Sequence, residues 1–124
     1  HFRPFVEKMN APKIEERVFL LPEEEKIHME EDTKIEGAAN FTIIKEDHTI
    51  GNPLRCQLLR DPSVLFAGYR LPHPLEQKMQ LKIQTKSTSN PQLALTDAIT
   101  TLKIELKHLD TVFDEAVAAY KEQA

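Results

Sequence analysis

The sequence is poor in cysteine, glycine and tryptophan. It has one Cys, three Gly and no Trp among 124 residues. The single thiol, Cys56, can form neither an internal disulfide nor a Cys-rich zinc site, which indicates a reducing compartment. The three glycines lie too far apart for a phosphate-binding loop or a dinucleotide-binding fingerprint. The composition therefore argues against a disulfide-rich secreted domain and against the common nucleotide sites.

Long apolar runs and blocks of basic charge are also missing. The apolar runs, such as residues 18–21 and 64–67, are far shorter than the roughly 18 residues of a membrane-spanning helix. The 16 Lys and Arg are outnumbered by 20 Asp and Glu, for a formal net charge of -4. A chain with no basic cluster and only two Tyr lacks the usual features of a stand-alone nucleic-acid binder. We expect a soluble domain that contacts no membrane.

The length and the 40% apolar fraction fit one domain with a hydrophobic core of its own. Met9 opens a Met-Asn-Ala-Pro segment that could be a natural start. We therefore interpret residues 1–8 as an upstream extension and residues 9–124 as a single domain.

Several segments have the composition and spacing of β-strands. Two short apolar runs within residues 17–29 flank an acidic turn and predict extended segments. Residues 41–44 and 64–71 are rich in β-branched and aromatic side chains, which favours strands. Apolar and polar residues alternate over residues 79–84, as in a strand with one buried face. The two prolines of residues 71–74 predict a turn between the last two strands.

A short helix is predicted after Thr49, whose side chain can serve as the N-cap. Its apolar face consists of residues at four-residue spacing, Ile50, Leu54 and Leu58. Pro53 is tolerated only in the first turn of such a helix. Residues 61–62, Asp-Pro, end it.

A long helix is predicted to begin at Asn90-Pro91, a good N-cap followed by a proline at the first helical position. Its apolar residues alternate spacings of three and four: Ile99, Leu102, Leu106, Leu109, Phe113, Ala116 and Tyr120. If it runs to about residue 121, it spans roughly 45 Å. A compact domain of this size is only about 35 Å across. We therefore expect another chain to bury the second half of this apolar face.

Four places could carry chemistry, and each also has a structural interpretation. Cys56 could be reactive or a small packing residue of the first helix. Residues 28–32 could bind a divalent metal or form a solvated acidic loop. Residues 47–49, Asp-His-Thr, could be an acid–base pair or a helix cap. His73 could contact a partner or bond to nearby backbone. The structural interpretation is favoured in each case, so we predict no catalytic residue and no metal.

Three segments taken together resemble a known family. They are residues 45–52 (KEDHTIGN), 64–75 (VLFAGYRLPHPL) and 81–85 (LKIQT). In content, order and spacing they closely resemble the small alpha-like subunits of RNA polymerases, and the similarity runs from Met9 to the end of the C-terminal helix. The first segment is shared with the version found in polymerases I and III and with the archaeal counterpart. The Met-Asn-Ala-Pro start and Val-Leu-Phe-Ala-Gly-Tyr favour the polymerase II version.

The resemblance implies an α+β fold like the dimerisation domain of the bacterial polymerase alpha subunit. About four mainly antiparallel strands would pack with a short helix and a long C-terminal helix. It also implies a nuclear, non-catalytic role in mRNA synthesis, with no cofactor. The chain would form a heterodimer with the larger alpha-like subunit, on which the catalytic subunits assemble, and would meet nucleic acid only within the complex. Carried onto this sequence, the dimer interface consists of Leu54, Leu58, Leu102, Leu106, Leu109 and Phe113.

The sequence departs from the family at Pro53 and Arg55, where aliphatic residues or alanine usually follow Gly-Asn. This departure predicts that the first helix starts later or bends. Two alternatives stay open at this point. One is the equivalent subunit of polymerases I and III. The other is a homodimeric ligand-binding or catalytic domain that uses Asp47, His48 and His73.

Overall fold

The computed structural model describes residues 24–123. Six elements follow one another along the chain: β1 (Ile27–Glu31), β2 (Ala38–Ile44), α1 (His48–Leu59), β3 (Val64–Arg70), β4 (Lys78–Thr85) and α2 (Pro91–Gln123). The strands form one antiparallel sheet in the order β1-β2-β4-β3. This arrangement confirms the predicted α+β fold. The predictions for residues 1–8 and 18–21 lie outside the described residues.

The central strand β4 organises the core, as its alternation predicts. Met79, Leu81 and Ile83 are fully buried, whereas the polar residues between them lie on the opposite face. Leu81 pairs with Phe41 of β2 on one side and with Tyr69 of β3 on the other. Because cross-strand partners share a face of the sheet, these side chains form one apolar layer under the helices.

Helix α1 begins one residue after Asp47, and this differs from the prediction. The Asp47 carboxylate accepts a hydrogen bond from the Thr49 backbone N–H at 2.9 Å, so Asp47 is the N-cap and Thr49 lies in the first turn. The helix therefore starts early, and Pro53 falls in its second turn. The predicted later start is wrong. The helix continues through Pro53 because its buried residues, Leu54 and Leu58, hold it on the sheet.

Helix α2 begins as predicted. The Asn90 side chain accepts a hydrogen bond from the Leu93 N–H at 2.7 Å, and Pro91 occupies the first helical position. Its 33 residues span about 50 Å. Only the first turns pack on the body of the domain, through the buried residues Ala94, Leu95 and Ala98.

The turn between β1 and β2 is held by Asp32. Its carboxylate accepts hydrogen bonds from the Lys34 N–H at 2.8 Å and the Ile35 N–H at 3.2 Å. These backbone donors, followed by the Lys82 ammonium 3.4 Å from the other oxygen, lower the pKa of Asp32 below its ordinary value. The acidic stretch of residues 28–32 is mostly strand β1, so the expected acidic loop is wrong.

Candidate functional site

The apolar face of α2 continues past the end of the core. Leu95 is almost completely buried, and Ile99 and Leu102 pack against the core from its edge. Further along the same face, exposure rises to 63% for Leu106, 63% for Leu109, 65% for Phe113 and 73% for Tyr120. We call these last four residues the exposed stripe. One continuous apolar face is thus covered in its first half and uncovered in its second half.

A shallow groove lies on the exposed stripe. Leu106, Leu109, Asp110 and Phe113 line it, and its volume is about 430 Å³. Three of the four lining residues are large and apolar, and contiguous apolar surface of this kind marks sites of protein–protein contact. This half of α2 has no other element of residues 24–123 packed over that groove. The groove is therefore open among the described residues.

The junction between the two halves of α2 lies beside the end of α1. Arg60, the C-cap residue of α1, places its guanidinium 3.5 Å from the Glu105 carboxylate. Both side chains are well exposed, so this ion pair contributes little to stability. Leu102, one of the predicted interface residues, packs on the core at this point and marks where the helix leaves the body.

Two predicted interface residues lie elsewhere. Leu54 is 2% exposed and Leu58 is 0% exposed, and both belong to the core of this chain. Their side chains pack against the other core residues of the same chain. Within this chain Leu54 and Leu58 hold α1 on the body, and their assignment to the dimer interface stays a prediction. Leu106, Leu109 and Phe113 remain exposed, and they stay a proposed contact.

Of the three residues considered for catalysis, Asp47 and His48 contact other residues of the fold. Asp47 caps α1, and His48 Nδ1 lies 2.7 Å from the Tyr69 hydroxyl. His73 lies in the exposed turn after β3 and forms no side-chain hydrogen bond or ion pair within residues 24–123. Among residues 24–123, no hydrogen bond joins the two histidines.

Cys56 is exposed and is not the packing residue predicted. It follows Leu54 by two residues, which turns its side chain about 200° around the helix and away from the core. No group of three or more His, Cys, Asp or Glu among the described residues is placed to hold a metal ion. Neither described helix has an apolar segment long enough to cross a bilayer.

Sequence reasoning missed Asp110, the one charged residue that lines the groove. The signal was present, because Asp110 directly follows Leu109 and lies four residues after Leu106. At 100° per residue this spacing places Asp110 only about 40° around the helix from Leu106. The carboxylate therefore borders the exposed stripe.

Comparison with known proteins gives this surface a family context. A family model described as the RNA polymerase Rpb3/Rpb11 dimerisation domain matches residues 38–111, from the start of β2 to the middle of α2. The chain belongs to the Rpb3/Rpb11 dimerisation domain family. The match includes Leu106, Leu109 and Asp110 of the groove.

Relatives of this Rpb3/Rpb11 domain extend the similarity over most of the chain. The probable DNA-directed RNA polymerase II subunit RPB11 of Caenorhabditis elegans is 55% identical over 109 residues, 88% of each chain. The DNA-directed RNA polymerase II subunit rpb11 of Dictyostelium discoideum is 46% identical over 110 residues, 88% of this chain and 91% of that protein. These findings confirm the resemblance and the prediction of a non-catalytic polymerase subunit.

A solved structure has the same fold as this Rpb3/Rpb11 domain. The DNA-directed RNA polymerase subunit L of Thermoplasma acidophilum superposes with a TM-score of 0.63 at 24% identity. The superposition covers 81% of this chain and 98% of that one. The four-stranded sheet with its two helices is therefore shared with an archaeal polymerase subunit.

Proposed function

We propose that this chain is the assembly subunit of nuclear RNA polymerase II that forms a heterodimer with the larger alpha-like subunit. The heterodimer serves as the platform on which the catalytic subunits assemble during mRNA synthesis. The chain contributes apolar surface and no catalytic group of its own.

One observation carries this proposal: the apolar face of α2 continues beyond the core as the exposed stripe. A stripe that only fixed α2 to its own sheet would end near Leu102, where the packing ends. The residues beyond it are large and apolar, and their exposure to water is unfavourable by roughly 25 cal/mol per Å². Burial against a partner helix removes that cost, and this supports dimerisation as the role of the second half of α2.

The relatives support the polymerase II version of the subunit. Proteins of Caenorhabditis elegans, Dictyostelium discoideum and Schizosaccharomyces pombe with 41–55% identity to this chain are all named as subunits of polymerase II. The equivalent subunit of polymerases I and III is therefore the less favoured alternative. Purification of the tagged chain tests the choice, because the largest subunits that co-purify differ between the polymerases.

A matched pair of substitutions on α2 tests the interface. Leu106 and Ile104 are exposed to nearly the same extent, 63% and 65%, but they lie two residues apart and hence on opposite faces of the helix. We expect Leu106→Asp to abolish the one-to-one complex with the larger alpha-like subunit, because an unpaired charge in a buried interface costs several kcal/mol. Ile104→Asp carries the same change in charge, and it should leave the complex intact.

Analytical ultracentrifugation of each variant mixed with the larger alpha-like subunit gives the readout. Circular dichroism of each variant alone shows whether the fold is retained. Equal binding by Leu106→Asp and the unmodified chain would overturn the assigned surface. Failure of the unmodified chain to bind that subunit would overturn the proposed function itself.

A further inference from the structure

We infer that Asp110 selects the partner of the exposed stripe: it pairs with a Lys or Arg beside the apolar face of the partner helix and opposes pairing with a second copy of this chain. This inference rests on the proposed function, because it concerns the same surface. It adds the chemistry that distinguishes one apolar helix from another.

The carboxylate of Asp110 occupies a defined place on that surface. It lines the groove together with Leu106, Leu109 and Phe113. Asp114 follows it by four residues and so lies on the same flank of the helix, one turn further along. A helix packed in the groove must therefore pass next to one carboxylate and close to a second.

No ion pair among the described residues neutralises the two carboxylates of this flank, those of Asp110 and Asp114. The sequence has no Lys or Arg between Lys107 and Lys121, while the same interval contains three acidic residues, Asp110, Asp114 and Glu115. The middle of the exposed half of α2 is therefore locally negative.

A helix that covers the groove removes water from Asp110. A carboxylate that loses water without gaining a partner charge or a hydrogen bond is strongly unfavourable. A partner helix with Lys or Arg at the matching position provides that charge. A second copy of this chain would bring the same acidic interval and no basic residue within it. The apolar residues provide the contact area, and Asp110 provides the discrimination between partners.

Two charge reversals on α2 test the inference. Asp110→Lys reverses the charge in the groove. Glu115→Lys makes the same change five residues later; Glu115 follows Phe113 by two residues and therefore lies about 200° around the helix from it. The full chain is mixed with the larger alpha-like subunit, and Kd is measured at about 50 mM and about 300 mM salt, a range over which exposed charge interactions become screened.

We expect Asp110→Lys to weaken the heterodimer by about tenfold or more at the lower salt concentration, because a close interfacial pair becomes a repulsion. As the salt concentration rises, the Kd of this variant should fall, or should rise less steeply than the Kd of the unmodified chain. Asp110→Asn should lie between the unmodified chain and Asp110→Lys. Glu115→Lys should stay within about twofold of the unmodified chain, as expected for a charge outside the interface.

The result that overturns the inference is an Asp110→Lys complex with the same Kd and salt dependence as the Glu115→Lys complex. A second measurement uses the chain alone. Asp110→Leu should increase its self-association in sedimentation, and unchanged self-association would also overturn the inference. Either of these overturning results leaves the proposed function intact, provided that the unmodified chain binds the larger alpha-like subunit and Leu106→Asp does not. Failure of the unmodified chain to bind would remove both proposals.

Discussion

Gly51 of α1 lies directly against the ring of Tyr69 in β3. A Cβ atom built on Gly51 would lie 2.6 Å from Tyr69 Cε2 and 2.7 Å from Met79 Sδ. Both distances are shorter than the contacts that non-bonded heavy atoms make with a Cβ atom. The same tyrosine has its hydroxyl 2.7 Å from His48 Nδ1, one turn earlier in the helix. The glycine therefore brings α1 close enough to the sheet for both contacts.

We expect Gly51→Ala to destabilise the domain by about 1–2 kcal/mol. Overpacking of a close contact costs about 1–3 kcal/mol, and the better helix propensity of alanine returns up to about 1 kcal/mol. The thermal midpoint followed by circular dichroism should fall by several degrees. Gly68→Ala is the control, because the nearest atom to its new Cβ belongs to the half-exposed Phe66 side chain, which can move. Equal midpoints for the two variants would contradict the close approach.

Lys45 adopts a backbone conformation that favours glycine. Its φ is +61°, and its N–H donates to the Gln77 carbonyl at 2.6 Å, which holds the turn after β2 in place. A non-glycine residue in the left-handed region costs roughly 1 kcal/mol. Lys45→Gly should therefore raise the thermal midpoint by a few degrees, with the gain reduced by the greater flexibility of glycine in the unfolded chain. Lys45→Ala keeps the strain and should give no gain; a gain of equal size there would show that the lysine side chain is responsible.

The N-cap of α2 should have a measurable effect on stability. Asn90→Ala removes the acceptor for the Leu93 N–H and should cost about 1 kcal/mol. Asn90→Asp keeps an acceptor and adds a negative charge at the positive end of the helix dipole, so it should be neutral or slightly stabilising. Urea unfolding of the two variants measures the difference. A lower midpoint urea concentration for Asn90→Asp than for Asn90→Ala would contradict the capping role.

Asp32 should make stability depend on pH. The hydrogen bonds of the turn favour its ionised form, so its pKa is lower in the folded chain than in the unfolded chain. Ionised Asp32 therefore stabilises the folded chain at pH values above its ordinary pKa of 3.8. This stabilisation is lost as the pH falls through the lower pKa of the folded chain. Asp32→Asn should lower the thermal midpoint at neutral pH, and this difference should shrink in acid.

Lys82→Gln is the control for the cause of that shift. It removes only the ammonium and leaves the two backbone donors, which are the larger causes. The midpoint of Lys82→Gln should therefore change less than that of Asp32→Asn at neutral pH. A difference between Asp32→Asn and the unmodified chain that is constant with pH would contradict the assigned ionisation.

The features that were predictable from sequence depend on local pattern. The alternation around Leu81 predicted the central strand, and Asn90-Pro91 predicted the start of α2, because each acts over a few residues. The length of α2 likewise followed from an apolar spacing that no Gly or Pro interrupts. These signals are read directly from neighbouring positions.

The remaining features depend on which surfaces meet in three dimensions. Leu54, Leu58 and Leu109 are all leucines on apolar helix faces, and the sequence does not show that other parts of residues 24–123 cover the first two and leave the third exposed. Asp47 and Thr49 can both cap a helix, and only the backbone conformation decides between them. The contact between Gly51 and Tyr69 joins residues of different elements, so no local pattern reveals it.

The strand order has a consequence for the timing of synthesis. β4 lies between β2 and β3 but follows both in the sequence, so the described sheet cannot close until the ribosome has passed residue 85. The first turns of α2 then complete the core, and the exposed stripe is made after the body that supports it. A chain that ended in the middle of α2 would keep the core residues up to Leu102 and would lack most of the exposed stripe. The residues that hold the fold together and those that form the exposed stripe are thus separated along the sequence.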